Sequence, residues 1–371
     1  MTGFRSAAVV GLGLMGGSLA RELAGRGVRV LGGDRDPGTV RDALRDGGVH
    51  AALGPALEGV EEAEVVVLAV PVSTAPEVLA ALLPRLGSAR LVTDVGSTKR
   101  GIAAAAEALG IGERFVGSHP LAGDHTSGWA ASRPGLFRGA RVFLTPGPST
   151  GAESLALARE LWTGVGGRPE LTTPEEHDRR LAWTSHLPQA ASTALALALD
   201  GAGIPRAELG RGGRDVTRLA GSSPEMWAAI ALDNAPALAA AAAALHDRLA
   251  EFRDALARGD ADALRGFFAA GREWSLAEGQ APGGMELAAV APPCPGTPAG
   301  HATPNPGGHM ERSENEEAGG TPEISRERSP EDGMQGVAEE RERMGGYGYD
   351  SPADLAEADR EEKQSGSSAG R

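Results

Sequence analysis

Residues 7–16 read Ala7-Ala8-Val9-Val10-Gly11-Leu12-Gly13-Leu14-Met15-Gly16, and this stretch decides the fold. The small and branched apolar residues predict a buried strand, and Ser18–Leu23 continues as a helix. Glycines at this spacing between a strand and a helix are typical of a dinucleotide-binding turn. Gly11 allows the tight turn, Gly13 lets the backbone approach a pyrophosphate, and Gly16 lets helix and strand pack closely. The free N–H groups at the start of the helix attract the anion.

A second apolar run, Val28–Leu31, is followed by Asp34. An acidic residue at the end of this strand is expected to contact the ribose hydroxyls of the nucleotide. Because a carboxylate repels a 2′-phosphate, we predict NAD rather than NADP, although Arg35 follows directly and softens the preference. Val70, at the end of a later apolar run, completes the expected cofactor-binding set.

Residues 5–146 alternate short apolar runs with helical stretches. The runs are 7–10, 28–31, 64–70, 90–94, 115–117 and 142–144, and the candidate helices lie near 16–25, 37–46, 75–86 and 98–109. This alternation predicts an α/β fold over residues 1–148, a Rossmann-type, doubly wound and mostly parallel sheet. Ligands bind such sheets beyond the carboxyl ends of the strands.

Residues 149–280 are predicted to form an all-helical region. Its candidate helices are 150–165, 174–201, 205–210, 213–220, 223–257 and 260–279. The helix at 223–257 contains the alanine run 239–244 and an apolar face at helical spacing, formed by Leu232, Leu238, Leu245, Leu249, Phe252 and Leu256. The face fits a bundle within one chain as well as a dimer interface.

Residues 281–371 differ in composition from the rest. They carry 18 acidic and 8 basic residues, so most of the net charge of −14 lies there. This Pro-, Gly-, Ser- and Glu-rich segment has no apolar period and cannot bury enough surface to offset its ordering entropy. We therefore predict a disordered acidic tail.

The remaining composition narrows the class of protein. One cysteine, Cys294, excludes an internal disulfide and fits a cytoplasmic protein. The sequence shows no apolar run of membrane-spanning length, no signal-peptide pattern and no basic patch interleaved with aromatic residues. We therefore expect no membrane association, no nucleic-acid partner and no metal site.

Two polar segments follow predicted strands at the carboxyl edge of the sheet. Asp94-Val95-Gly96-Ser97-Thr98-Lys99 holds Ser97, which suits a helix N-cap and could also face a ligand. Gly117–Gly123 holds His119, which precedes Pro120 and is therefore expected in extended backbone on a loop. A histidine there could move a proton near neutral pH or serve only structure.

Two further segments lie in the helical region. His186 and Gln189 are three residues apart on one predicted helix, and Arg214 and Arg218 are four apart on another. Imidazole, amide and guanidinium groups that converge on one cleft would suit a substrate with carboxylates. Either arginine could equally be a solvated surface residue.

Taken together, these motifs resemble a known family. GLGLMGGSLA, DVGSTK, GSHPLAGDHTSGW, SHLPQ and RDVTRLAGSSPEMW, in this order, look like the prephenate/arogenate dehydrogenases of tyrosine biosynthesis. The resemblance covers roughly residues 5–280. It implies a Rossmann domain, then a helical domain that intertwines with its copy in a homodimer. It also implies NAD(P)-dependent oxidative decarboxylation of prephenate or arogenate, in which hydride passes to the cofactor and the ring carboxylate leaves as carbon dioxide.

The resemblance also assigns roles to site residues. His119 matches the histidine that hydrogen-bonds the ring hydroxyl and accepts its proton, and Ser97 matches the serine that touches the same hydroxyl. Arg218 matches an arginine that binds a substrate carboxylate, and His186 matches the first histidine of a His-Leu-Pro-His segment. Trp227 matches a tryptophan that is directed toward the active site of the neighbouring subunit.

Two departures from the family pattern are visible. Gln189 stands where many members have the second histidine, which leaves the choice between prephenate and arogenate open, and residues 281–371 lack the pattern of a regulatory ACT domain. We expect prephenate dehydrogenase activity, with arogenate dehydrogenase as the alternative. Another helical-domain dehydrogenase, such as a β-hydroxyacid dehydrogenase, would need a catalytic lysine, yet no lysine lies between Arg100 and Glu362. A non-catalytic nucleotide-binding or dimerisation protein is the third possibility.

Overall fold

The computed structural model describes residues 3–123 and 126–277. Within these ranges the chain forms one sheet with the strands β1 Ser6–Val10, β2 Arg29–Gly33, β3 Ala51–Ala52, β4 Val65–Leu68, β5 Leu91–Asp94, β6 Phe115–Pro120, β7 Arg141–Pro146 and β8 Arg168–Leu171. Five helices accompany it: α1 Leu14–Gly25, α2 Pro37–Arg45, α3 Ala75–Leu82, α4 Arg100–Ala108 and α5 Ala152–Gly164. The tail expected at 281–371 lies outside the described residues.

The strand order is β3-β2-β1-β4-β5-β6-β7-β8, and every neighbouring pair is parallel except β6 and β7. Successive side chains of a strand point to opposite faces. Ala7 and Val9 therefore join a core with α1 and α5, whereas Ala8 and Val10 join a second core with α3 and α4. Helices cover both faces, which confirms the doubly wound α/β sheet.

The sheet continues past the expected boundary at residue 148. Leu157, Leu161 and Trp162 of α5 are buried against it, and β8 then pairs with β7. The helix expected at 150–165 thus packs on the sheet and not in the helical region, which begins at Pro174. The sequence pattern missed β8 because Arg-Pro-Glu-Leu is only four residues long and contains a proline, which an edge strand tolerates.

The helical region contains α6 Pro174–Leu181, α7 Leu187–Gly201, α8 Arg211–Val216, α9 Pro224–Asp233, α10 Ala235–Arg258 and α11 Ala261–Leu276. The helix expected at 174–201 is interrupted by a π-helical turn at Ala182–His186. Pro188 follows this turn and lacks the N–H that an α-helix would donate to Thr184. The turn thereby sets the position of His186.

The helix expected at 223–257 is also interrupted. Asn234 separates α9 from α10, and the two axes differ by 99°. Within the described ranges, no single helix is both long and apolar enough to cross a bilayer; only this bent pair, taken together, reaches the required length and composition.

Candidate active site

The glycine turn has the shape that a dinucleotide requires. Gly11 has a φ of +95°, and a side chain there would overlap the carbonyl of Ala69. A side chain at Gly16 would overlap the carbonyl of Gly11. A Cβ at Gly13 would meet nothing within 4 Å, so its backbone borders open space in front of α1. A cradle bounded by close-packed glycines and a helix N-terminus fits a pyrophosphate.

Asp34 directly follows β2 and fixes this turn. Its Oδ2 accepts a hydrogen bond from the Leu12 N–H at 2.8 Å, and its Oδ1 accepts one from the Asp36 N–H at 2.9 Å. Each carboxylate oxygen keeps a lone pair for a ribose hydroxyl. Arg35 is exposed, and Val70 is half-buried beside Gly11. These residues fit NAD.

His119 lies at the carboxyl end of β6, within the strand and not on a loop as expected. Its Nδ1 lies 2.9 Å from Nε2 of His177, and Nδ1 of His177 lies 2.7 Å from Oδ1 of Asp178. The Asp178 carboxylate oxygens act as acceptors, so Nδ1 of His177 donates and its Nε2 accepts from Nδ1–H of His119. The Nε2 of His119 consequently carries the lone pair, which is the form that can take a proton.

Asp178 also connects the helical region to the sheet. It is fully buried on α6, and it accepts hydrogen bonds from the backbone N–H groups of Lys99 at 2.8 Å and Arg100 at 2.9 Å. These donors open α4, where a carboxylate is favoured by the helix dipole. The expectation that Ser97 caps this helix is wrong, because α4 begins at Arg100 and Asp178 accepts hydrogen bonds from its first N–H groups.

Three histidines at this junction are held in the neutral form. Burial lowers the pKa of His119 well below its usual value, and the nearby His177, Lys99 and His186 lower it further. Burial also lowers the pKa of His177, although Asp178 opposes the shift. For His186, burial lowers the pKa to about 4. A neutral His119 at physiological pH is able to accept a proton.

A buried ion pair supports the loop that carries Ser97. The Nζ of Lys99 binds Oδ2 of Asp94, and both side chains are almost fully buried. Asp94 also accepts from the Gly96 N–H at 2.8 Å. Ser97 is half-buried in a short loop, and the contacts of Asp94 and Lys99 hold this loop at both of its ends. Lys99 contributes a fixed positive charge near His119.

His186 and Trp227 form a second polar group. Nδ1 of His186 lies 3.1 Å from the amide nitrogen of Asn234, which also donates to the carbonyl of Asp178 at 2.7 Å. The proton of neutral His186 is therefore on Nε2. That atom and Nε1 of Trp227 are buried without a hydrogen-bond partner among the described residues. The two rings belong to the same chain, with centroids 6.0 Å apart.

Arg218 begins a 3₁₀ turn, Arg218–Gly221, and is exposed. Gln189, on α7, is buried, and its amide nitrogen donates to the carbonyl of Leu219 at 2.8 Å. The Gln189 amide, expected to bind substrate, is thus engaged with the turn that carries Arg218. Arg214 on α8 donates to the carbonyl of Ala207 at 3.1 Å.

Sequence reasoning missed several residues of this site. His177 and Asp178 complete the hydrogen-bonded array, Lys99 and Asp94 form the buried pair, and Asn234 orients His186. The consecutive titratable residues Glu176-His177-Asp178 are a sequence signal for a functional site on α6. Their proximity to His119 could not be read from the sequence, because it depends on how α6 packs against β7 and α4.

The fold and site define a class: an NAD-dependent oxidoreductase with a Rossmann-type domain, a helical domain and a neutral histidine where they meet. Comparison with known proteins narrows the class. The family model for the prephenate dehydrogenase nucleotide-binding domain matches residues 19–171, and the model for the prephenate dehydrogenase dimerization domain matches residues 173–270. The chain belongs to the prephenate dehydrogenase family.

Individual relatives agree with this assignment. The chain is 34% identical over 284 residues to a cyclohexadienyl dehydrogenase of Zymomonas mobilis, covering 75% of this chain and 97% of the relative. It is 35% identical over 235 residues to the prephenate dehydrogenase of Bacillus subtilis, covering 61% and 63% of the two chains.

Solved structures show the same similarity. The prephenate dehydrogenase of A. aeolicus, in complex with hydroxyphenyl propionate and NAD+, superposes with a TM-score of 0.68 at 31% identity, covering 73% of this chain and 97% of that one. The arogenate dehydrogenase of Synechocystis gives a TM-score of 0.64 at 31% identity, covering 73% and 98%.

Proposed function

We propose that this chain converts prephenate to 4-hydroxyphenylpyruvate by oxidative decarboxylation, and that His119 accepts the proton of the ring hydroxyl. The observation that carries the proposal is the array from His119 through His177 to Asp178. It leaves a lone pair on Nε2 of His119 at the carboxyl edge of the sheet, where ligands of this fold bind. Ser97, in the neighbouring loop, would hydrogen-bond the same hydroxyl.

The reaction divides between the cofactor and the protein. Bound NAD would accept the hydride from the ring carbon that bears the hydroxyl. Nε2 of His119 takes the hydroxyl proton as the ring carbonyl forms, the ring carboxylate leaves as carbon dioxide, and its bonding pair enters the ring to give a phenolate. The phenolate then takes the proton back from His119 and becomes the phenol. Arg218 would hold a substrate carboxylate as a charge-assisted pair. The protein's main task is to orient the ring and to remove one proton.

The donors of His186 and Trp227 favour prephenate over arogenate. Both free atoms are N–H donors, and an oxygen of the substrate would satisfy them. Both substrates offer carboxylate oxygens, but prephenate adds a ketone oxygen on its side chain where arogenate has an ammonium group that needs acceptors. Neutral His186 is therefore better matched to prephenate.

Exposed apolar side chains support assembly into a homodimer through the helical region. Leu232, Leu249 and Leu256 are 78%, 56% and 54% exposed, and Trp274 on α11 is 83% exposed. Apolar faces of this kind mark interaction surfaces. A second copy of the chain would cover them, as in the matched dimerization domain. The cytoplasm stays our prediction for the location of the enzyme.

Steady-state assays of the purified chain with NAD test the proposal. NADH absorbance should rise with prephenate, and kcat/KM should be higher for prephenate than for arogenate. A preference for arogenate would overturn the substrate assignment. An absence of turnover with both substrates would support a non-catalytic nucleotide-binding protein.

A further inference from the structure

We propose that Gln189 is a positioning residue that fixes the turn carrying Arg218, and that it does not itself bind the substrate. This inference rests on the proposed role of Arg218 in binding a substrate carboxylate. It concerns the position at which this chain departs from the His-Leu-Pro-His pattern of the family that its sequence resembles.

The first support is where the Gln189 side chain is bound. It is 6% exposed on α7, and its amide nitrogen donates to the carbonyl of Leu219, the residue after Arg218, at 2.8 Å. Its carbonyl oxygen lies 3.4 Å from the hydroxyl of Ser222, just beyond the turn. Both ends of the amide are thus directed at the turn.

The second support is how the turn is otherwise held. The carbonyl of Leu219 also accepts from the Ser222 hydroxyl at 2.8 Å and from the Ser222 N–H at 3.1 Å. Both donors belong to the turn and its exit. Gln189 is the donor that ties this carbonyl to a separate helix, α7, so it fixes the turn relative to His186, which immediately precedes α7.

The third support is the state of Arg218. Its side chain is exposed, whereas the turn that it begins is hydrogen-bonded to α7. An arginine loses less conformational freedom on binding when its backbone is already fixed. A neutral amide also keeps this hydrogen bond at every physiological pH.

Gln189→Met tests the proposal, because methionine keeps the length and helix preference of glutamine but removes the donor and acceptor. KM for prephenate should rise about 5- to 30-fold, the change expected when the loss of one hydrogen bond loosens a turn that carries a substrate-binding group. The kcat and the KM for NAD should not change. Ser192→Ala is the matched control: Ser192 is buried on α7 with a hydroxyl that has no partner among the described residues, and KM should stay as in the wild type.

A double-mutant cycle separates positioning from direct contact. Arg218→Ala should raise KM strongly, whereas Arg214→Ala should not. In the Arg218→Ala background, Gln189→Met should change KM no further, because the group that it positions is gone. A persisting effect in that background, or an unchanged KM in Gln189→Met alone, would overturn the role of Gln189. An unchanged KM in Arg218→Ala would instead overturn the proposed function of Arg218, and the inference with it.

If Gln189→Met fails to fold, Ser222→Ala replaces it in the double-mutant cycle with Arg218→Ala. It removes another donor from the Leu219 carbonyl and should give a smaller rise in KM. That rise should also vanish in the Arg218→Ala background, and its persistence there would contradict the proposal.

Discussion

Nδ1 of His119 lies 2.9 Å from Nε2 of His177, so one hydrogen bond joins strand β6 of the sheet to helix α6 of the helical region. The proposed proton acceptor is therefore oriented by a residue of the other domain. Asp178 anchors the same contact, because it binds His177 and the first N–H groups of α4. Domain packing and the proposed proton transfer therefore involve the same side chains.

The His177 contact predicts a specific kinetic defect. His177→Phe removes the acceptor for Nδ1–H of His119, so the imidazole loses its fixed tautomer and direction. We expect kcat to fall by about 10- to 100-fold, less than the loss for removing a general base itself. Affinity for NAD, measured by fluorescence titration, should not change. A kcat within about twofold of the wild type would show that His177 only fills space.

The pH profile should report a neutral His119. Burial lowers the pKa of this group, and the nearby His177, Lys99 and His186 lower it further. Asp178 and Asp94 act on its hydrogen-bonded partner, His177. Because the active form is unprotonated, kcat should stay constant as the pH falls through 6.5, the usual histidine pKa, and decline only at lower pH. Measurement of kcat from acid to neutral pH checks this, and a decline centred above 6.5 would contradict it.

Asp34 predicts the cofactor preference. The wild-type enzyme should show a higher kcat/KM with NAD than with NADP, because the carboxylate repels a 2′-phosphate. Asp34→Asn removes the charge but keeps an oxygen that accepts from the Leu12 N–H. The difference in kcat/KM between NAD and NADP should therefore become smaller, because Arg35 is then available to bind the 2′-phosphate. Assays with both cofactors decide this. A wild-type preference for NADP would contradict the role of Asp34.

The exposed face of α10 predicts the effect of a charge at the expected interface. The wild type should elute as a dimer in size-exclusion chromatography with light scattering. Leu249→Asp places a charge on a side chain that is 56% exposed in one chain, so the dimer should weaken while the monomer stays folded. Glu251→Gln is a nearby control and should remain dimeric. A monomeric wild type would contradict the proposed assembly.

The parts of the fold that could be predicted are those with a local signal. Buried parallel strands such as Val65–Leu68 are continuous apolar runs, and the glycine turn has fixed spacing. The edge strand Arg168–Leu171 has neither signal. The π-turn at His186 and the break at Asn234 depend on nearby prolines together with tertiary hydrogen bonds, and so a single long helix was predicted at each place.

The residues of the site also fall into those with a local sequence signal and those without one. His119, Ser97 and the nucleotide residues could be proposed because they lie at or just beyond the carboxyl ends of strands, at one edge of the sheet. Asp178 could not be placed beside Lys99, which lies far from it in the sequence, until α6 was seen to pack on α4. Gln189 was assigned to the substrate from its helical spacing with His186, but spacing does not show what a side chain binds.

The most direct test of the central claim is the turnover of His119→Asn with prephenate and NAD. Asparagine keeps a polar group at the end of β6 but cannot take the hydroxyl proton. The account predicts a folded protein with wild-type affinity for NAD and a kcat lower by about 10²- to 10⁴-fold, the range for loss of a general base. A kcat close to that of the wild type would show that His119 is not the proton acceptor.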